Sequence, residues 1–491
     1  MKALTWIALP LLLGMGMAHA TEPAAPPANP LAIVTQDGTA LRAQARHSAA
    51  PQAVLWQGEN LEVRGRTLDY LQVYDHRIER AGFVRASRVR IVSMQPGDAP
   101  ELLAVVRFLR DAPGSEALGI AYTAAYLKAA PGKAIDAEPF DALGVMAERL
   151  ARRASTNRTK ALEQALSGQL EVVADYGVAI RSITGGDGVR LCYDGDAFRR
   201  VMAMNASAMQ KATAALALTD PACIDPGLPP VQLAAFDSWR ADLLDRVPRE
   251  ALPRYVQNRL HMREASVWSA IAFERTRSQQ PAQQAASRAI DELAAVDTRA
   301  LVESDRDDYN DAAIRVGASR WAALPVPKAG TNLHIATTAG RPGETCIQLL
   351  DRKHDTKAPL AQRCTYGTVW AGSARANAGG TALALAVQPM TSWRELWLFH
   401  VVGTQWVIDV LPPADDDPQL GYIEFAGWVP GDRQMLVARE ARVNGRFVHR
   451  FEIMDMTSLA TTRQADKPSS LSQFYRYQDA VWRSQTVSLR D

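Results

Sequence analysis

The sequence predicts a multidomain chain of mixed α and β structure: a small N-terminal β-barrel, a central irregular α-helical domain and a C-terminal antiparallel β domain. Three observations predict it. Short apolar runs alternating with period 2 fill residues 31–95. Apolar residues at helical spacing, broken by Pro-Gly pairs, fill residues 98–322. Strand-length runs separated by Pro-Gly and Asn-Gly turns occupy 333–491. At about 150 residues per domain, a chain of 491 residues suits about three.

Composition is that of an ordinary globular protein, 47% hydrophobic and 22% charged, with enough apolar material for real cores. A formal net charge of +2 supplies no global attraction to nucleic acid, and none is expected as a partner. Met1-Lys2 is a short basic start, Leu4 to Met17 an apolar run, and Ala18-His19-Ala20 a small-x-small cleavage pattern. These features predict a signal peptide over 1–20 and a periplasmic or secreted mature chain. Residue 21 is Thr, so no lipoprotein cysteine follows. No later apolar run reaches the ~20 residues of a membrane helix, so no membrane span is expected. Residues 21–30 are a Pro/Ala linker too extended to pack a core.

An oxidising compartment frames the four cysteines, Cys192, Cys223, Cys346 and Cys364, as disulfide partners. Three connectivities are open. The sequence-local pairing, Cys192–Cys223 and Cys346–Cys364, keeps each bond inside one expected domain. Metal-type Cys-x-x-Cys spacing is absent, and no cofactor is expected.

Residues 31–95 begin with a strand at Ala32-Ile33-Val34 and a turn at Asp37-Gly38. A polar loop leads to Val54-Leu55-Trp56, then come alternating strands at Leu61-Glu62-Val63 and Tyr70–Tyr74. Gly82-Phe83-Val84 and Val89-Arg90-Ile91 close the set. The order resembles the bacterial SH3-like domain on four segments: Ala40-Leu41-Arg42-Ala43, Gly58 with Leu61 and Val63, Tyr70-Leu71-Gln72-Val73, and Gly82-Phe83-Val84. Tyr70 and Phe83 stand where that family carries tryptophans. The resemblance implies a small barrel and a role in contacting cell-wall peptides or partner proteins. Tyr70, Tyr74 and Phe83 are then candidate ligand contacts, or simply core.

In the helical region, Asp98-Ala99-Pro100-Glu101 supplies an N-cap, an early proline and a first-turn acid. Leu102, Val105, Val106 and Leu109 share the next face. Pro113-Gly114-Ser115 ends that helix and starts another, to about Ala130. Further helices are predicted over 139–153, 157–176, 198–218, 231–246, 249–277, 281–295 and 305–323. No repeat period emerges, which favours an irregular bundle. A β-hairpin at 177–193 interrupts it around Gly185-Gly186-Asp187-Gly188. With Asp194-Gly195-Asp196 at the following helix start, Asp187, Asp194 and Asp196 are candidates for an anion or metal site. The plainer reading is a hairpin turn and an N-cap stapled by Cys192.

After a linker at 323–332, β-strands continue to the end. The sharpest stretch is Gly421–Asp455, three strands around turns at Pro430-Gly431-Asp432 and Asn444-Gly445. Trp370, Trp428 and Trp482 head similar segments. Trp428-Val-Pro-Gly-Asp432 resembles the Trp-Ser-Pro-Asp-Gly turn of TolB-like and WD-type propeller repeats, and the length of the region leaves room for three or four blades, as a small closed ring, an open β-array or an array completed by another chain. An antiparallel sandwich is the alternative.

Signatures of common catalysis are missing: no Gly-x-Ser-x-Gly, His-Glu-x-x-His, P-loop or Gly-x-Gly-x-x-Gly. Asp75-His76 reads as a surface turn. Asp415-Asp416-Asp417 could chelate calcium but reads as a solvated loop. Glu264 falls on the apolar stripe of a long helix, where a carboxylate is either an acid–base group or partnered by arginine. The expectation is an exported envelope protein that binds or scaffolds an envelope protein or a peptidoglycan-derived peptide without catalysis of its own. The alternative is an envelope hydrolase whose site is assembled from separated residues. Open β edges also raise homodimerisation.

Overall fold

The computed structural model describes residues 30–156, 159–185, 188–324, 333–415 and 420–485. The expected signal peptide, nearly all of both linkers, Asp187 and two of the three residues Asp415–Asp417 lie outside them.

The first unit is a seven-stranded antiparallel sheet: β1 (Leu31–Val34), β2 (Thr39–Arg42), β3 (Pro51–Leu55), β4 (Asn60–Thr67), β5 (Tyr70–Asp75), β6 (Arg80–Arg85) and β7 (Val89–Val92). Its spatial order is β3-β2-β6-β5-β4-β1-β7. Alternate residues such as Leu71, Val73 and Val84 face a core with Val34, Leu41 and Leu61. Ile33 and Val92 instead join a second core with Leu102, Ala121 and Tyr126 of the helices. Two glycines permit that contact. A Cβ on Gly58, which sits at φ +89, would meet the Ala117 carbonyl oxygen at 2.5 Å, and one on Gly168 would meet the Trp56 ring at 2.4 Å. The Tyr176 hydroxyl donates to the Gly58 carbonyl at 2.7 Å and accepts from Asn60 at 3.2 Å. The sheet is therefore built into the helical region.

That region comprises α1 (Ala99–Arg110), α2 (Glu116–Ala129), α3 (Glu138–Ala154), α4 (Lys160–Asp175), the hairpin β8 (Ile180–Gly185) and β9 (Gly188–Tyr193), α5 (Asp196–Ala203), α6 (Ala208–Leu218), α7 (Pro230–Asp245), α8 (Arg254–Arg277), α9 (Gln283–Ala294) and α10 (Arg306–Ser319). The single helix expected over 198–218 is two. Ser207 N-caps α6 with a full capping box, its hydroxyl taking the Gln210 N–H while the Gln210 side chain takes the Ser207 N–H. The helix expected from Arg249 starts at Arg254, after Pro253 at its N-cap.

The C-terminal region holds three antiparallel meanders. The first is β10 (His334–Ala339), β11 (Thr345–Leu350) and β12 (Ala361–Thr365). The second is β13 (Thr368–Ala376), β14 (Ala382–Met390), β15 (Trp393–Val402) and β16 (Gln405–Leu411). The third is β17 (Gly421–Trp428), β18 (Gln434–Val443), β19 (Arg446–Asp455) and β20 (Thr461–Ala465). A short parallel contact, Trp393 with Gly421 and Arg394 with Tyr422, joins the second to the third. Strand β14 is buried on both faces: Leu383, Leu385 and Val387 pack on the first meander, Ala382 and Ala384 toward the third. Asn444 (φ 49°) and Gly445 (φ 75°) make the expected hairpin turn. Trp482 departs from expectation, since it lies in a helix. The chain closes with α11 (Ser472–Tyr477) and α12 (Ala480–Gln485), whose Phe474 and Trp482 pack edge-on to Phe451.

Both disulfides take the sequence-local pairing. Cys346 and Cys364 are directly opposed on β11 and β12. Cys192–Cys223 ties β9 to the turn after α6. Among the described residues, no helix is long and apolar enough to cross a membrane.

A buried ionic triad fastens α10 to the third meander. Arg394, Glu424 and Arg320 are 0%, 2% and 3% exposed. Arg394 Nη2 donates to Glu424 Oε1 at 3.0 Å, and Arg320 Nε to the same oxygen at 2.9 Å. Two cations face one carboxylate. The surplus charge is met by the C-terminal end of α10, whose Gly317 and Ala318 carbonyls accept from Arg394 Nη1 at 2.7 and 3.1 Å. Removing the carboxylate charge leaves two buried guanidiniums uncompensated. Glu424→Gln is expected to cost about 3–5 kcal/mol in urea denaturation. A loss under about 1 kcal/mol would contradict this role for the triad.

Candidate functional site

A cleft of about 530 Å³ opens where the β8–β9 hairpin meets α3, α5, the end of α6 and α7. Each wall has a local cause. The Ser155 hydroxyl, just past α3, donates to the Ala151 carbonyl at 2.9 Å and accepts the Leu191 N–H at 2.8 Å, which docks the helix on β9. Phe198 of α5 lies on Gly144, where a Cβ would come within 2.5 Å of its ring. Gly195, at φ +87, lets the chain turn from β9 into α5 while the Tyr193 hydroxyl accepts the Ala197 N–H at 2.8 Å. The end of α6 is held from behind. Arg240 donates to the Thr219 carbonyl at 2.8 Å and Arg263 to the Leu216 carbonyl at 2.9 Å. The Cys192–Cys223 bond then pins the adjacent turn, with Asp220, against the hairpin.

Opposed residues on a hairpin share a face. Arg181 is opposite Cys192, and Ile183 is opposite Arg190. Arg181 and Arg190 therefore lie on the face that carries the disulfide, and both line the cleft. The other two lining arginines have acid partners: Arg152 pairs with Glu148, and Arg199 with Asp194 at 3.4 Å. Burial pushes the Glu148 carboxyl up, against the pull of Arg152. On α7, Phe236 and Trp239 stack at 5.3 Å with their planes 24° apart, and Trp239 is 36% exposed.

Of the candidate ligand contacts among the described residues, only Asp194 lines this cleft, beside the disulfide Cys192–Cys223. Its Oδ1 accepts the Asp196 N–H at 3.0 Å, so it serves the helix start, and Asp196 pairs with Arg200 at 3.1 Å on the exposed side. Tyr70, Tyr74 and Phe83 are opposite Arg85, Ala81 and Gln72 on β5–β6, which puts all three on the sheet face away from Leu71, Val73 and Val84. The Arg64 guanidinium sits 4.0 Å over the Tyr74 ring. Tyr70 is 6% exposed, so this aromatic set is only partly open. His76 pairs with Glu62 at 2.7 Å in an exposed turn, as its sequence suggests. The cleft itself draws on residues from 148 to 239 and has no local signature in the sequence.

Glu264 has the arginine partner that a buried carboxylate calls for, within a larger cluster. The Arg249 guanidinium reaches Glu264 Oε2 and lies 3.2 Å from His261 Nδ1 and 3.4 Å from Glu292 Oε2. His261 Nδ1 is 2.7 Å from Glu292 Oε2. The donor atoms of His261, Glu264 and Glu292 are close enough to hold a metal ion, but Arg249 already brings a cation to all three. None of them lines the cleft. No family model, curated protein or solved structure matches the chain.

Burial, then the neighbouring Glu292, pushes the Glu264 carboxyl from 4.5 up to about 8. Between those values the folded chain holds a proton that the unfolded chain has released, so stability falls as pH rises through the window and levels off above it. Glu264→Gln removes the titrating group. Its urea midpoint is expected to vary less than the wild type's from pH 5 to pH 8, and an unchanged slope would contradict the assignment.

Proposed function

We propose that the protein is an exported binding or scaffolding protein of the cell envelope, without catalysis of its own, whose partner seats at the cleft beside the hairpin. The observation that carries this reading is the cleft's construction. Its walls are held by a disulfide, by two arginines gripping the end of α6 and by close glycine contacts, which is the preformed geometry of a binding site. The two disulfides and the signal-like start support an oxidising, extracytoplasmic address. The SH3-like strand order at the N-terminus and the meanders that resemble propeller blades support a platform for an envelope protein or a peptidoglycan-derived peptide.

The test is co-sedimentation of the mature chain with purified cell-wall sacculi, and crosslinking in an envelope fraction. Retention or a discrete crosslinked partner is expected, with at least a fivefold loss in Trp239→Ala, since one stacking aromatic contributes on the order of 1 kcal/mol. No retention and no crosslink in either fraction would overturn the reading.

A further inference from the structure

The cleft's charge and shape define the chemistry of what enters it. Its three lining acids are engaged. Glu148 and Asp194 neutralise Arg152 and Arg199. The third, Asp220, accepts the Ala222 N–H at 3.0 Å and interacts with the guanidiniums of Arg240, which is buried, and Arg263, which is half-buried. Arg181 and Arg190 have no acid within ion-pair distance among the described residues. They project from neighbouring strands of one hairpin face, a spacing that allows both guanidiniums to address one anionic group. The Phe236–Trp239 stack, which also lines the cleft, offers a flat apolar surface. A volume of about 530 Å³ fits a small molecule, a few residues of peptide or an exposed segment of a larger partner.

We infer that the cleft binds a small carboxylate-bearing ligand with a flat apolar body, its anion held by Arg181 and Arg190 and its body laid on Phe236 and Trp239. This rests on the cleft being the ligand seat. A cationic ligand would meet two uncompensated arginines and no free acid among the cleft's described residues. A neutral one would gain the aromatic surface alone.

Titration calorimetry of the full mature chain with matched naphthalene probes tests this: 2-naphthoate, 2-naphthamide and 2-naphthylmethylammonium. The naphthoate is expected to bind at least tenfold tighter than the amide, and the ammonium probe not at all. Arg181→Gln with Arg190→Gln is expected to weaken naphthoate about tenfold and leave the amide unchanged. Trp239→Ala is expected to weaken both. If the amide binds as tightly as naphthoate and Trp239→Ala still weakens it, the cleft is a seat but the anion assignment is wrong. If no probe binds the wild type, the seat itself is wrong. The wild-type series decides both points even where a variant fails to fold.

Discussion

Arg394 is a fully buried charge, and the junction between helices and β layers depends on how it is compensated. Burial drives its pKa down to about 10, against the pull of Glu424. A lone buried guanidinium would cost several kcal/mol, and one carboxylate shared with Arg320 does not balance two cations. The end of α10 does the rest, through backbone carbonyls that no helical N–H can reach. The same turn carries Gly317, whose missing side chain lets the Tyr422 ring lie against the helix, and the Arg394 guanidinium sits 4.9 Å over that ring. Helix, sheet and aromatic are thus fixed together by one charge. The third meander has the second meander on one face and α10 to α12 on the other, so its apolar faces are covered without a closed ring.

The same device recurs at the cleft. Arg240, buried, and Arg263, half-buried, spend donors on carbonyls at the end of α6, and Asp237 and Asp220 supply the opposing charge. A helix end held this way cannot fray, and the disulfide extends the constraint to the turn beyond it. Arg181 and Arg190, by contrast, stand exposed on the hairpin without such partners among the described residues. The contrast between arginines engaged inside the wall and arginines left open on its face is what distinguishes the cleft from the ionic clusters elsewhere, where Arg249 and Arg288 are absorbed by Glu264, Glu292 and Asp245.

Local chemistry was legible in the sequence and long-range chemistry was not. Asn444-Gly445, most strands from Leu31 to Val92 and the hairpin at 177–193 follow from turn residues and period-2 patterning, and keeping each bond inside one domain selects the disulfide pairing that the structure shows out of three possible ones. Trp482 was misplaced because a tryptophan before polar residues looks alike at a strand start and in a short helix, and only its packing on Phe451 decides. The break at 204–207 was hidden by helix-forming residues on both sides, although Ser207 and Gln210 carried its signal. Tyr70, Tyr74 and Phe83 showed the alternation of a strand but not which face was the core. The cleft escaped sequence reading because its walls come from four helices and a hairpin, brought together by arginine-to-carbonyl bonds that leave no motif.

Hydrogen exchange of the mature chain, with and without saturating 2-naphthoate, tests whether the cleft beside the hairpin is the ligand seat. Protection is expected to rise in residues 180–199 and 217–239, the hairpin and the α6–α7 walls, and to stay unchanged in the meanders and the N-terminal sheet. Protection that appears instead on β5 and β6, or nowhere, would contradict a ligand seat at the hairpin.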